Sequence, residues 1–164
     1  MRHLNVHKIV RDLNDLCNTL IEEYDINSGG CCFVAYVIAK QLDKLHIKYS
    51  LQVSDYYPKD EIAINREVRN KKRNACDTLS VTGFNTCSHY YLKIEGGGNV
   101  NQDECPSEET VYTITGINHS NIGWIYKNGS WNSQYNKRNN KLIKKIISSH
   151  FKQYEKSCKT KVCA

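Results

Sequence analysis

The chain has 164 residues, of which 40% are apolar and 24% charged, and a formal net charge of +6. That length makes one domain, able to bury roughly two-thirds of the surface its unfolded chain would expose, so no disulfide or metal staple is needed for folding. No apolar run approaches the ~20 residues of a membrane-spanning helix, and Met1 to Lys8 contain no apolar core of signal-peptide length. The expectation is a protein without a membrane partner, made and kept in a cytoplasm or packaged from one.

The positive charge is concentrated in Arg69-Asn70-Lys71-Lys72-Arg73 and again towards the C-terminus. These clusters read as a solvated loop and the outer face of a helix. No zinc-finger spacing or other nucleic-acid signature accompanies them, so nucleic acid is not the expected partner. The eight cysteines stand at 17, 31, 32, 76, 87, 105, 158 and 163. None forms a C-x-x-C pair, so neither metal nor cofactor is expected, and in a cytosol they stay reduced.

In chain order, Val6, Ile9, Val10, Leu13, Leu16, Cys17, Leu20, Ile21 and Tyr24 recur at steps of three and four and predict an amphipathic helix. Asp25-Ile26-Asn27-Ser28-Gly29-Gly30 ends it. A second helix starts at Cys31, with Ser28 as its expected N-cap, and runs to His46 with Cys31, Val34, Ala35, Ile38, Leu42 and Leu45 on one face. Lys48 to Val53 predicts a strand, and residues 55–80 an exposed polar excursion with a short helix around Glu61 to Arg69. His89 to Ile94, Val100-Asn101, Val111 to Thr115 and Gly123 to Tyr126 predict further strands, separated by turns at Gly96 to Asn99 and Lys127 to Ser130. Leu142, Ile143, Ile146, Ile147, His150, Phe151 and Tyr154 form the stripe of a closing helix, frayed after Glu155. Helices, then clustered strands, then a helix predict an α+β fold with an antiparallel sheet and amphipathic helices at both ends.

Cys31 opens a helix directly after Gly29-Gly30. The unpaired N–H groups of a helix start favour a thiolate and can stabilise an oxyanion beside it. A histidine at the head of a strand, His89, supplies a candidate base.

Asn27-Ser28-Gly29-Gly30-Cys31, Ala35, and Leu42 with Leu45-His46-Ile47 resemble the cysteine-bearing helix of papain-like and transglutaminase-like cysteine hydrolases. His89 to Ile94, the glycine turn and Val100-Asn101 resemble the histidine strand and hairpin of that group. The likeness covers residues 25–101, and the family's glycine before the final isoleucine is replaced by His46. Trp131-Asn132, Tyr135 and the terminal helix are similar to small phage- or virus-encoded members, and the Asn-, Lys-, Ile- and Tyr-rich composition fits an AT-rich genome.

The resemblance implies a papain-like layout, the cysteine helix against the sheet, and a peptide, protein or other amide-containing substrate. It implies Cys31 as nucleophile, His89 as base and Asn101 as the group that orients the imidazole. The N–H of Cys31 or Cys32, assisted by Asn27, would form the oxyanion hole. Cys32 stands as an alternative nucleophile, His119 as an alternative base and Asp103 as an alternative third member. An inactive scaffold, serving as a virion component or binding a host factor, is the competing expectation.

Overall fold

The computed structural model describes residues 4–27, 30–55, 89–102, 110–128 and 139–159. The predicted helix at 61–69, Ser28, Gly29, Asp103, Trp131 and Tyr135 lie outside them.

Helix α1 spans Val6–Tyr24. Asn5 caps it, its side-chain oxygen accepting from Lys8 N at 3.0 Å, which satisfies one of the N–H groups a helix start leaves open. It stops where Asp25 turns left-handed, φ 50°, and donates its N–H to the Ile21 carbonyl. Ile9, Val10, Leu13, Cys17 and Leu20 form the buried stripe that the spacing predicts.

Helix α2 spans Cys31–Lys44, and its N-cap is Gly30, which offers no side-chain cap. Ser28 was the expected cap. The helix ends two residues before His46, which has φ 56° and begins the descent into the sheet. Cys31, Cys32, Phe33, Val34, Ala35, Val37, Ile38, Ala39, Gln41 and Leu42 are all buried. A helix that is apolar nearly all round belongs in the middle of a domain, and α2 indeed packs against the sheet and two later helices.

The strands are β1 (Tyr49–Asp55), β2 (His89–Ile94), β3 (Gly98–Val100) and β4 (Thr110–Ile114). They form an antiparallel sheet in the order β3-β2-β1-β4. Leu51 pairs with Leu92 and Ile114, and Leu92 with Val100. These residues, with Val53, Tyr90 and Ile94, belong to the core that includes Cys31, Ile38 and Leu42. Ser50, Gln52 and Ser54 alternate with them in β1, and His89, Tyr91 and Lys93 in β2, as period-two side-chain direction requires.

Two helices follow, α3 (His119–Asn128) and α4 (Asn140–Lys159). Residues 123–126 are therefore helical, and the expected strand there is corrected. Asn118 Oδ1 accepts from the N–H of Ser120 and Asn121 while Asn121 Oδ1 accepts from Asn118 N, a reciprocal helix start that outweighs the β-propensity of Trp124-Ile125-Tyr126. Ile122 and Ile125, three apart, then face the core. Gly123 lets this helix approach α2, since a Cβ there would stand 2.8 Å from a Tyr36 ring carbon. Of the turn expected over Lys127 to Ser130, Lys127 and Asn128 are the last residues of α3 and Gly129 and Ser130 lie outside the described residues, and α4 continues to Lys159 instead of fraying after Glu155. The whole is α+β with an antiparallel sheet, as the order of patterns predicts. Among the described residues no helix is long and apolar enough to cross a membrane.

Two close contacts help to hold α1 against the rest. The β2–β3 turn passes so close to it that a Cβ on Gly97 would lie 2.6 Å from Val6 Cγ1 and 3.2 Å from the Val6 carbonyl oxygen. Gly97→Ala should therefore cost about 1–3 kcal/mol of unfolding free energy, as overpacked contacts do; urea titration measures it. On the opposite flank, Tyr154 of α4 donates its hydroxyl to Asp12 Oδ2 at 2.7 Å. Burial raises the Asp12 carboxyl, but the bonds from Lys8 and Tyr154 and the nearby positive charges outweigh it and leave its pKa below the ordinary value. A folded-state pKa below the unfolded one gives stability that is present above the unfolded value, near ~4, and lost as pH falls through the folded value. Asp12→Asn should cost about 1 kcal/mol at neutral pH and flatten that acid limb, read by urea titrations at several pH values.

Candidate functional site

Cys31 is the first residue of α2, where the opening N–H groups have no carbonyl one turn back. Its side chain belongs to the buried core and the residue is 5% exposed. Cys32 is fully buried. Burial, reinforced by the adjacent Cys31, pushes the Cys32 thiol well above its ordinary pKa, which disfavours it as a nucleophile. Burial likewise pushes the Cys17 thiol up to about 12.

His89 opens β2. Its ring Nε2 lies 2.6 Å from the main-chain carbonyl oxygen of Asn101. A carbonyl can only accept, so Nε2 carries the proton and donates it, and in the neutral ring Nδ1 holds the lone pair. The sequence led to Asn101 as the residue that orients the imidazole. The bond between the two residues is made by the Asn101 backbone, because its side chain turns away and donates Nδ2–H to Asn27 Oδ1 at 3.2 Å. Asn101 has φ 63° and is buried, a left-handed conformation that asparagine tolerates better than most residues.

One further amide completes this cluster. Asn14, on α1, accepts the Asn101 N–H on Oδ1 at 2.9 Å and donates Nδ2–H to the Asn99 carbonyl at 2.9 Å. Asn99 O and Asn101 N are neighbouring groups on the open edge of β3, and the amide occupies them as a next strand would. The structure thus brings His89, Asn101, Asn27 and Asn14 together. Asn14 was missed in the sequence, where it read only as a polar-face residue of α1.

The strand register adds a constraint. Tyr90, Leu92 and Ile94 turn towards the core that contains Cys31, whereas His89 alternates with them and its ring stacks on Tyr91, centroids 5.8 Å apart and 23° between planes. Period-two alternation places His89 on the sheet face opposite the helix-packed one. It is the terminal residue of β2, and Asn27, joined to it through Asn101, stands four residues before Cys31 in sequence.

His119, the alternative base, begins α3 and is bound to a different partner. Its Nδ1–H and its backbone N–H both donate to Asp43 Oδ2, the latter at 3.0 Å, and Tyr49 donates its hydroxyl to Asp43 Oδ1 at 2.8 Å. Burial, then the bond to Asp43 and its charge, raise the Tyr49 hydroxyl far above its usual pKa. Asp43 thus caps α3 and locks it to α2 and β1. Asp43 and Tyr49 also line a cavity of about 690 Å³ with His46, Lys48, Lys93 and Glu95. Asp43→Ala would leave three donors without their acceptor, at an expected cost of about 1–3 kcal/mol, visible as a lowered urea midpoint.

Among the described residues no group of three His, Cys, Asp or Glu side chains is arranged to hold a metal ion. Comparison with family models, with curated proteins and with solved structures finds no match for the chain.

Proposed function

We propose that the chain is a thiol hydrolase or acyltransferase of papain-like type, in which Cys31 attacks an amide or peptide carbonyl and His89 moves the proton. The observation that carries this reading is the hydrogen-bonded chain from the His89 ring through Asn101 to Asn27, on the loop that leads into Cys31. It ties the strand bearing an imidazole to the segment bearing a thiol at a helix start. It also leaves Nδ1 as the basic nitrogen.

The chemistry follows from those parts. His89 Nδ1 takes the proton from Cys31 Sγ, and the sulfur bonds to the carbonyl carbon. The carbonyl oxygen becomes an oxyanion facing the first N–H groups of α2, where Gly30 supplies no competing cap. The imidazolium returns its proton to the amine as the C–N bond breaks, leaving a thioester on Cys31. Water or a second amine then takes the acyl group. The Asn101 carbonyl stabilises the imidazolium by its dipole alone.

A second reading, an inactive scaffold serving as a virion component or host-factor binder, is favoured by one specific observation: Cys31 lies in the core while His89 stacks with Tyr91 on the alternate face. Iodoacetamide near neutral pH with peptide mapping separates the two. The hydrolase reading predicts that Cys31 is alkylated at least about tenfold faster than Cys17 or Cys32, with the advantage abolished in His89→Ala. Uniformly slow labelling of all three contradicts it and leaves the scaffold.

A further inference from the structure

We infer that Asn14 is a positioning residue for His89, acting across the edge of the sheet through the backbone of Asn101. This deepens the reading of His89 as the base and rests on it. The Asn14 amide makes two bonds to β3, accepting from Asn101 N and donating to Asn99 O, each at 2.9 Å. Those bonds fix the peptide plane on each side of residue 100, just where the chain swings to φ 63° at Asn101. A left-handed residue persists only when its surroundings over-determine it. Here the fixed N–H on one side and the Asn27 bond on the other direct the Asn101 carbonyl onto His89 Nε2.

The orienting group is thus a main-chain oxygen, and substitution effects should differ from those of a side-chain triad. Removing the Asn101 side chain should matter less than removing the Asn14 amide, provided that the new residue accepts a positive φ. Glycine does so without strain. Asn101→Gly should therefore keep His89 oriented although it loses the bond to Asn27. Asn14→Leu, similar in volume but without donor or acceptor, should release the ring although Asn14 touches neither His89 nor Cys31 in the hydrogen-bond chain.

The experiment is proton and nitrogen NMR of the ring-labelled full chain, following the His89 Nε2–H resonance, which persists only while that proton is hydrogen-bonded and protected from exchange. Folding of each variant is checked by its amide spectrum. The inference predicts a resolved signal in the wild type and in Asn101→Gly, and its loss in Asn14→Leu. Should Asn14→Leu fail to fold, Asn14→Asp serves, because it keeps an acceptor for Asn101 N–H but sets a carboxylate against the Asn99 carbonyl; the signal should broaden. A signal unchanged in the folded Asn14 variant, or lost in Asn101→Gly alone, overturns the inference. Cys31 alkylation measured on the same samples keeps the two claims apart. An inert Cys31 with an Asn14-dependent ring proton sinks the enzymatic reading only, while a reactive Cys31 with an indifferent ring proton sinks the role of Asn14 only.

Discussion

The left-handed turn at Asn101 sets the position of everything around the candidate site. Because φ is 63° there, the residue leaves the ladder after three residues of β3, and its three polar groups diverge. The N–H goes to α1, the side-chain amide to the loop before α2, and the carbonyl to His89. An extended residue at this point would carry β3 further along β2 instead of leaving the sheet. The turn converts a short edge strand into a junction between helix, loop and imidazole. Asn14 makes the junction durable by occupying the β3 edge, which would otherwise offer unpaired backbone groups to another chain.

Behind the junction stands an apolar frame. Helix α2 is enclosed by the sheet on one side and by α3 and α4 on others, so its first residue has little freedom. Burial contributes rigidity and also restrains the chemistry, since a desolvated thiol resists ionisation, as Cys32 and Cys17 illustrate. What distinguishes Cys31 is its place at the head of the helix, directly after Gly30, an N-cap with no side chain to bond the opening N–H groups. Asp43 holds the opposite end of the same helix, joining β1 to the start of α3 through Tyr49 and His119. The two histidines thus have different employment: His119 belongs to a carboxylate-centred clasp, and His89 to the asparagine junction.

Much of the fold was legible because local patterns agree with it. Helix α1 falls where its apolar steps predict, and the hairpin β2–β3 turns at its glycines. Residues 123–126 were misread because three bulky residues in a row carry a strand signature, while the decisive helix signal lay upstream in the Asn118 and Asn121 spacing. Helical phase favours Cys31 over Cys32, with Ala35 and Ile38 on its face, but α2 is buried on nearly every face, so both cysteines are buried and phase alone does not separate them. The face of His89 was readable in principle: apolar Leu92 and Ile94 already place residue 89 on the alternate side. The partnership of Asn14, Asn27 and Asn101 was not, because it depends on contacts between residues more than seventy positions apart, and a polar residue on a helix face carries no mark of such a task.

The proposed function requires one spatial relation: the His89 ring, bonded to the Asn101 carbonyl, must come within reach of the Cys31 sulfur. Dibromoacetone tests this directly, since one molecule alkylates a thiol and then a neighbouring imidazole through a three-carbon bridge. Peptide mapping of the treated monomer should recover Cys31 joined to His89. Recovery of Cys31 bridged to another side chain, or of the two residues modified only separately, would contradict the account.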